Sequence, residues 1–114
     1  MGARSSSTAA DGNDSGESEG PLGSVWNEVE AACHGVWTRV ADTSTFSADW
    51  ADCNVTATLV ITITGVQVSV TRTSSSDGND CNYVGTLSGN SVAGTYSCTI
   101  SNPLARTWSA TITE

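Results

Sequence analysis

Residues 81–100 read Cys-Asn-Tyr-Val-Gly-Thr-Leu-Ser-Gly-Asn-Ser-Val-Ala-Gly-Thr-Tyr-Ser-Cys-Thr-Ile, and their spacing sets a β-hairpin, its register and a disulfide together. Gly89-Asn90 makes a two-residue loop, with glycine supplying the positive φ that a type II′ turn needs at its first central position. Ser88 then faces Ser91, Leu87 faces Val92, Gly85 faces Gly94, Tyr83 faces Tyr96 and Cys81 faces Cys98. Alternation puts Cys81, Tyr83, Leu87, Val92, Tyr96 and Cys98 on a core face, and Asn82, Thr86, Ser88, Ser91, Thr95 and Ser97 on a solvent face. Counting outward from the turn, the cysteines fall at a non-hydrogen-bonded pair. There, opposing Cα atoms approach to roughly 4.5 Å, which a disulfide can bridge. The expected bond is Cys81–Cys98.

The remaining cysteines, Cys33 and Cys53, are then left for each other, and the absence of any C-x-x-C pair favours two disulfides over a zinc site. Each bond closes a loop of about twenty residues, a contribution of roughly 3 kcal/mol by chain entropy. Reliance on disulfides points to an oxidising compartment: secreted, periplasmic or cell-surface. No signal peptide or membrane span is visible, so the expectation is that any export signal has been removed or lies outside this stretch.

Upstream of the hairpin the period of two is equally plain. Val55, Ala57, Leu59, Ile61 and Ile63 alternate with Thr56, Thr58, Val60, Thr62 and Thr64. A tight turn at Gly65-Val66 brings Ile63 opposite Val68 and Ile61 opposite Val70. Residues 73–80 have the composition of an exposed loop, Asn102-Pro103 turns the chain, and Trp108, Ala110 and Ile112 mark a last strand. Nearer the start, Val25, Trp26, Val29, Ala32 and Cys33 recur at three- and four-residue spacing. That pattern predicts a short helix capped by Ser24 and ended by Gly35. A first strand follows over residues 36–40, then a polar connection over residues 41–52 that carries Phe46 and Trp50. The count is six strands, and short connections predict an antiparallel meander closed into a barrel, last strand on first.

Residues 1–20 are mostly Ser, Gly, Ala and acid, with no aromatic or branched apolar residue to bury, and residues 1–24 read as a disordered acidic leader. Gly20-Pro21-Leu22-Gly23-Ser24 also matches the remnant left by one common tag-removing protease. The folded domain is expected over residues 25–114, small enough for disulfides to matter. The chain has no Lys, four Arg and twelve acids, for a net charge of −8. That balance argues against nucleic acid and anionic membrane surfaces as partners, both of which need a basic patch.

Gly35-Val36-Trp37, a short helical turn leading into a strand and then a meander, resembles the calycin group of lipocalins, avidins and small bacterial inhibitors of secreted metalloproteases. The resemblance implies that Trp37 closes one barrel end with Arg106, from the last strand, packed across it. The chain is shorter than a lipocalin and has fewer expected strands, which bears on whether it encloses a ligand cavity. The pattern from Gly85 to Tyr96 also looks like meanders of small exported bacterial lipoproteins of unassigned function. A competing resemblance runs from Ala93 to Asn102, which is similar to the sixth strand of an immunoglobulin domain, with Tyr96 two residues before Cys98. An immunoglobulin-like sandwich is therefore the alternative fold.

Catalytic chemistry is hard to assemble from these residues. His34 is the only histidine, and its neighbour Cys33 is assigned to a disulfide. The Ser and Thr residues occupy outward strand positions. Asp77-Gly78-Asn79-Asp80 has too few alternating oxygen ligands for a calcium loop. The repeated Thr-x-Thr pairs lack the regular period of an ice-binding surface, and Asn54-Val55-Thr56 is a formal glycosylation sequon. The expectation is a monomeric, non-enzymatic domain with no cofactor and no metal.

Trp50, with Asp49 beside it and Phe46 nearby, is the best candidate for contact with an unidentified protein or glycan partner. In the competing reading, Trp50 and Phe46 fold back to cover a barrel end near Cys53. The functional expectation is an exported binding module acting through its surface, as inhibitor or adaptor, without inserting into a membrane. The alternative is a calycin-like carrier of an apolar ligand.

Overall fold

The computed structural model describes residues 22–100 and 106–113. The sequence expectations for residues 1–21 and for the turn at Asn102-Pro103 lie outside that range. Eight strands run in order: β1 (Val25–Glu30), β2 (Cys33–Arg39), β3 (Thr45–Trp50), β4 (Val55–Thr64), β5 (Gln67–Thr73), β6 (Cys81–Ser88), β7 (Ser91–Cys98) and β8 (Arg106–Thr113). Each pairs antiparallel with the next, and β8 pairs with β1, so the sheet closes into a barrel without an edge.

The register read from residues 81–100 holds throughout: Cys81 faces Cys98, Tyr83 faces Tyr96, Gly85 faces Gly94 and Leu87 faces Val92. Gly89 and Gly65 take φ of +61° and +62° at the two tight turns, and Ile63 meets Val68 as the alternation requires. The all-β, antiparallel, closed architecture is therefore as expected, but the strand count and the first element are corrected.

There are eight strands rather than six, and residues 25–30 form β1 rather than a helix. The inward residues of β1 are Trp26, Glu28 and Glu30. Two of those three are acids, so the strand's period of two is invisible to an apolar count. The stretch over residues 41–52 is likewise not all connection, because Phe46, Ala48 and Trp50 point inward from β3. The sandwich alternative is also set aside, since one closed sheet replaces two stacked ones and Cys81–Cys98 joins neighbouring strands.

All seven aromatic residues of the sequence are buried inside the barrel. Trp37 sits at the centre, stacked between Trp26 and Trp108 with ring centroids at 5.7 and 5.6 Å. Tyr83 and Trp50 meet Trp37 edge-on. Such pairs contribute roughly 0.5–1.5 kcal/mol each beyond their burial. Gly35 leaves room for this packing, since a Cβ there would lie 2.6 Å from Trp50 Nε1.

The outer wall is unusual in the opposite sense. From Thr56 on β4 to Ser97 on β7, no outward strand residue carries charge. The wall is Thr and Ser with single valines, not the apolar band that lipid contact demands. Among the described residues no helix is long and apolar enough to cross a membrane.

Candidate functional site at the barrel mouth

Odd-numbered strands run toward one end of the barrel and even-numbered strands run away from it. The turns after β1 and β3 and the longer connection after β5 therefore share that end, the mouth, with the end of β7 and the start of β8. Both disulfides are there: Cys33–Cys53 ties β2 to the 3-10 turn Ala51–Cys53, and Cys81–Cys98 ties β6 to β7. The opposite end is closed by tight turns and by aliphatic side chains such as Ile63, Val68, Val92 and Ile112.

A cavity of about 270 Å³ opens at the mouth, lined among others by Glu30, Trp50, Arg72, Asp77, Tyr96, Ser97 and Arg106. Its floor is a network of buried polar groups. Tyr83 donates its hydroxyl to Glu30 Oε1 at 2.5 Å, and Arg72 reaches Glu30 Oε2 at 3.5 Å and the Tyr83 hydroxyl at 3.2 Å. The other guanidinium nitrogen of Arg72 donates to Ser75 Oγ at 2.9 Å and lies 3.4 Å from the Asp77 carboxylate. Arg72 also lies over the Trp50 ring, its Cζ 4.5 Å from the centroid. Trp50 Nε1 donates to Glu28 Oε1 at 2.7 Å, which extends the network one step deeper. Three buried polar atoms, Glu28 Oε2, Trp37 Nε1 and Arg72 Nε, find no hydrogen-bond partner among the described residues.

Burial decides the protonation of this cluster. Loss of solvent, then the neighbouring Glu30 carboxylate, pushes Glu28 up to about 9, so it is a neutral acid at neutral pH. Burial and Glu30 together also hold the Tyr83 hydroxyl far above its ordinary range. For Arg72 burial works against the charge, but Tyr83, Glu30 and Asp77 more than offset it. Asp77 is likewise disfavoured by burial, yet Ser75, the Asn79 backbone N–H and Arg72 keep it below the usual carboxylate range. Arg72 and Glu30 lie 3.5 Å apart as a buried pair, a geometry that holds only when the remaining hydrogen bonds are made.

The rim is held as firmly as the floor. His34 donates its backbone N–H to the Asp52 carboxylate, and its ring Nδ1 lies 2.8 Å from Asp52 Oδ2, which lowers Asp52. Thr56 and Ser76 exchange two hydrogen bonds, and Ile100 N donates to Asn79 Oδ1. Cys33, Asp52 and Cys53 lie close enough to share a metal, but both sulfurs are joined to each other and are not thiolates.

Among the residues singled out from sequence, Trp50 is in the cavity wall but is the last residue of β3, 1% exposed, rather than in a loop. Phe46 is buried against Trp26, four residues toward the closed end, and Asp49 points outward. Trp37 occupies the barrel centre rather than an end. Arg106 is exposed at the mouth, in register with Tyr96, and the arginine laid over an indole is Arg72. Glu28, Glu30 and Arg72 were not singled out. Their signal was positional: Glu28 and Glu30 follow Trp26 at steps of two, and Arg72 continues the inward series Val68, Val70.

No protein-family model, curated protein or solved structure matches the chain.

Proposed function

We propose that this is a non-catalytic, exported binding module whose ligand enters at the barrel mouth. The observation that carries the reading is the contrast between a filled interior and a preformed, cross-braced cavity at one end, with charged groups set in an otherwise apolar wall. Pre-organisation of this kind lowers the ordering cost of binding. Two disulfides fit an oxidising compartment and support export. The closed eight-stranded meander supports the calycin-like resemblance at the level of architecture.

The groups capable of acid–base chemistry are already engaged or lie outside the cavity. Glu30 is held by Tyr83 and Arg72, Asp77 by Ser75 and Asn79, and His34 lies outside the cavity with its side chain 73% exposed. A carrier of an apolar ligand would need empty apolar space, and the stacked indoles with Tyr83 occupy the barrel centre.

The test is a screen of a mixed glycan array and a random peptide library with three proteins: the natural sequence, a mouth variant (Arg106→Glu) and a wall variant (Thr86→Arg). The expected result is a ligand lost by the mouth variant and kept by the wall variant. Loss confined to the wall variant, or no ligand from either library, would overturn the proposal.

A further inference from the structure

We infer that the mouth cavity takes a neutral saccharide unit, an inference that rests on the mouth being a binding site. The first argument is charge. Two guanidiniums, Arg72 and Arg106, and two carboxylates, Glu30 and Asp77, line the cavity, so its formal charges cancel. An anionic ligand would meet those carboxylates and a chain of net charge −8, and a cationic one would meet both arginines. A neutral polyol meets neither opposition.

The second argument is the kind of hydrogen bonding on offer. Every sugar hydroxyl both donates and accepts, so its site must present both functions close together. The Arg106 guanidinium donates, the Asp77 carboxylate accepts, and the two lie in one lining. Bonds of this kind to ionised groups are about twice as strong as neutral ones.

The third argument is the rest of the wall. Val55, the edge of Tyr96 and the disulfide sulfurs give apolar surface against which the C–H face of a pyranose can pack. About 270 Å³ sits just below the usual range for drug-sized ligands, a volume suited to one or two rings. One mode of peptide recognition, addition of a strand to a sheet edge, is closed to this barrel.

The experiment is a titration of isotope-labelled protein, followed by amide and indole N–H resonances. The probes are glucose, maltose, cellobiose and N,N′-diacetylchitobiose, with glucuronate and glucosamine as charged counterparts and a random hexapeptide pool. The expected result is saturable shifts at Ser97, Arg106 and the Trp50 indole with at least one neutral sugar, and binding about tenfold weaker for its charged counterparts. Arg106→Met and Asp77→Asn should each weaken that sugar about tenfold. If Asp77→Asn unfolds the loop, Arg106→Met alone decides, because Arg106 is exposed and its loss removes no core contact.

Tighter binding of glucuronate or glucosamine, or a neutral sugar whose affinity ignores both variants, would overturn the inference. Mouth shifts with the peptide pool alone would overturn the saccharide and leave the binding module standing. No mouth shift with any probe would count against both.

Discussion

Tyr83 on β6 and Glu30 on β1 are 53 residues apart, yet the phenol donates to the carboxylate across the barrel at 2.5 Å. The bond links the first strand to the sixth through the interior rather than through the sheet. Tyr83→Phe keeps the ring contacts with Tyr96, Trp37 and Trp108 but leaves Glu30 and Arg72 each one partner short. Unsatisfied buried charged groups cost about 1–3 kcal/mol or more, so the variant should lose stability on that scale in a urea unfolding series. An unchanged midpoint would show that the network contributes nothing.

Glu28 makes stability depend on pH. Its folded-state value of about 9 stands above the ordinary 4.5, so the folded protein holds this proton more tightly than the unfolded chain. The contribution is whole below about pH 4.5 and is lost as pH rises through about 9. Glu28→Gln retains an acceptor for the Trp50 indole and removes the titration. The natural protein should lose on the order of a few kcal/mol more than the variant between pH 5 and pH 9. Denaturant melts at the two pH values check this, and parallel losses would contradict it.

Gly94 and Gly85 face each other on β7 and β6, and the Trp108 indole crosses them to donate to the Val84 carbonyl at 3.0 Å. A Cβ on Gly94 would run into the Val84 carbonyl oxygen and lie 2.5 Å from Gly85 Cα. Neither backbone atom can yield cheaply, so Gly94→Ala should cost about 3 kcal/mol or more. Gly89 at the hairpin turn has nothing within 4 Å and only its positive φ to lose. Gly89→Ala should cost about 1–2 kcal/mol. Thermal midpoints for the two variants should keep that order.

Removing the Cys33–Cys53 bond by the double change to Ala releases a 20-residue separation and should cost about 3 kcal/mol. The 3-10 turn would then be held mainly by Asp52 on His34, so hydrogen exchange should rise around residues 51–54 more than at the closed end. Uniform loosening would contradict that local role.

Legibility from sequence followed the chemistry of the inward positions. β4 to β7 were readable because their core faces are mainly apolar, and the single exception, Arg72, falls near a strand end. β1 and β3 were not. Trp26-x-Glu28-x-Glu30 hides its alternation behind two acids, while Val25 and Val29, on the outer face, mimic helical spacing. In β3 the small Ala48 between Phe46 and Trp50 thins the signal, and Ser47 and Asp49 make the segment resemble a loop. The same fact explains why the mouth escaped notice. Its floor consists of charged residues where apolar ones were expected, and a charge facing inward looks, in one dimension, like a break in the pattern.

Closure of β8 on β1 also governs how the domain is presented. β1 begins and β8 ends at the end opposite the mouth, where Ser24 N donates to the Thr113 carbonyl at 2.8 Å. Among the described residues, the chain entering β1 and the chain leaving β8 therefore meet the barrel at its base, on the side away from the cavity, and neither crosses the opening.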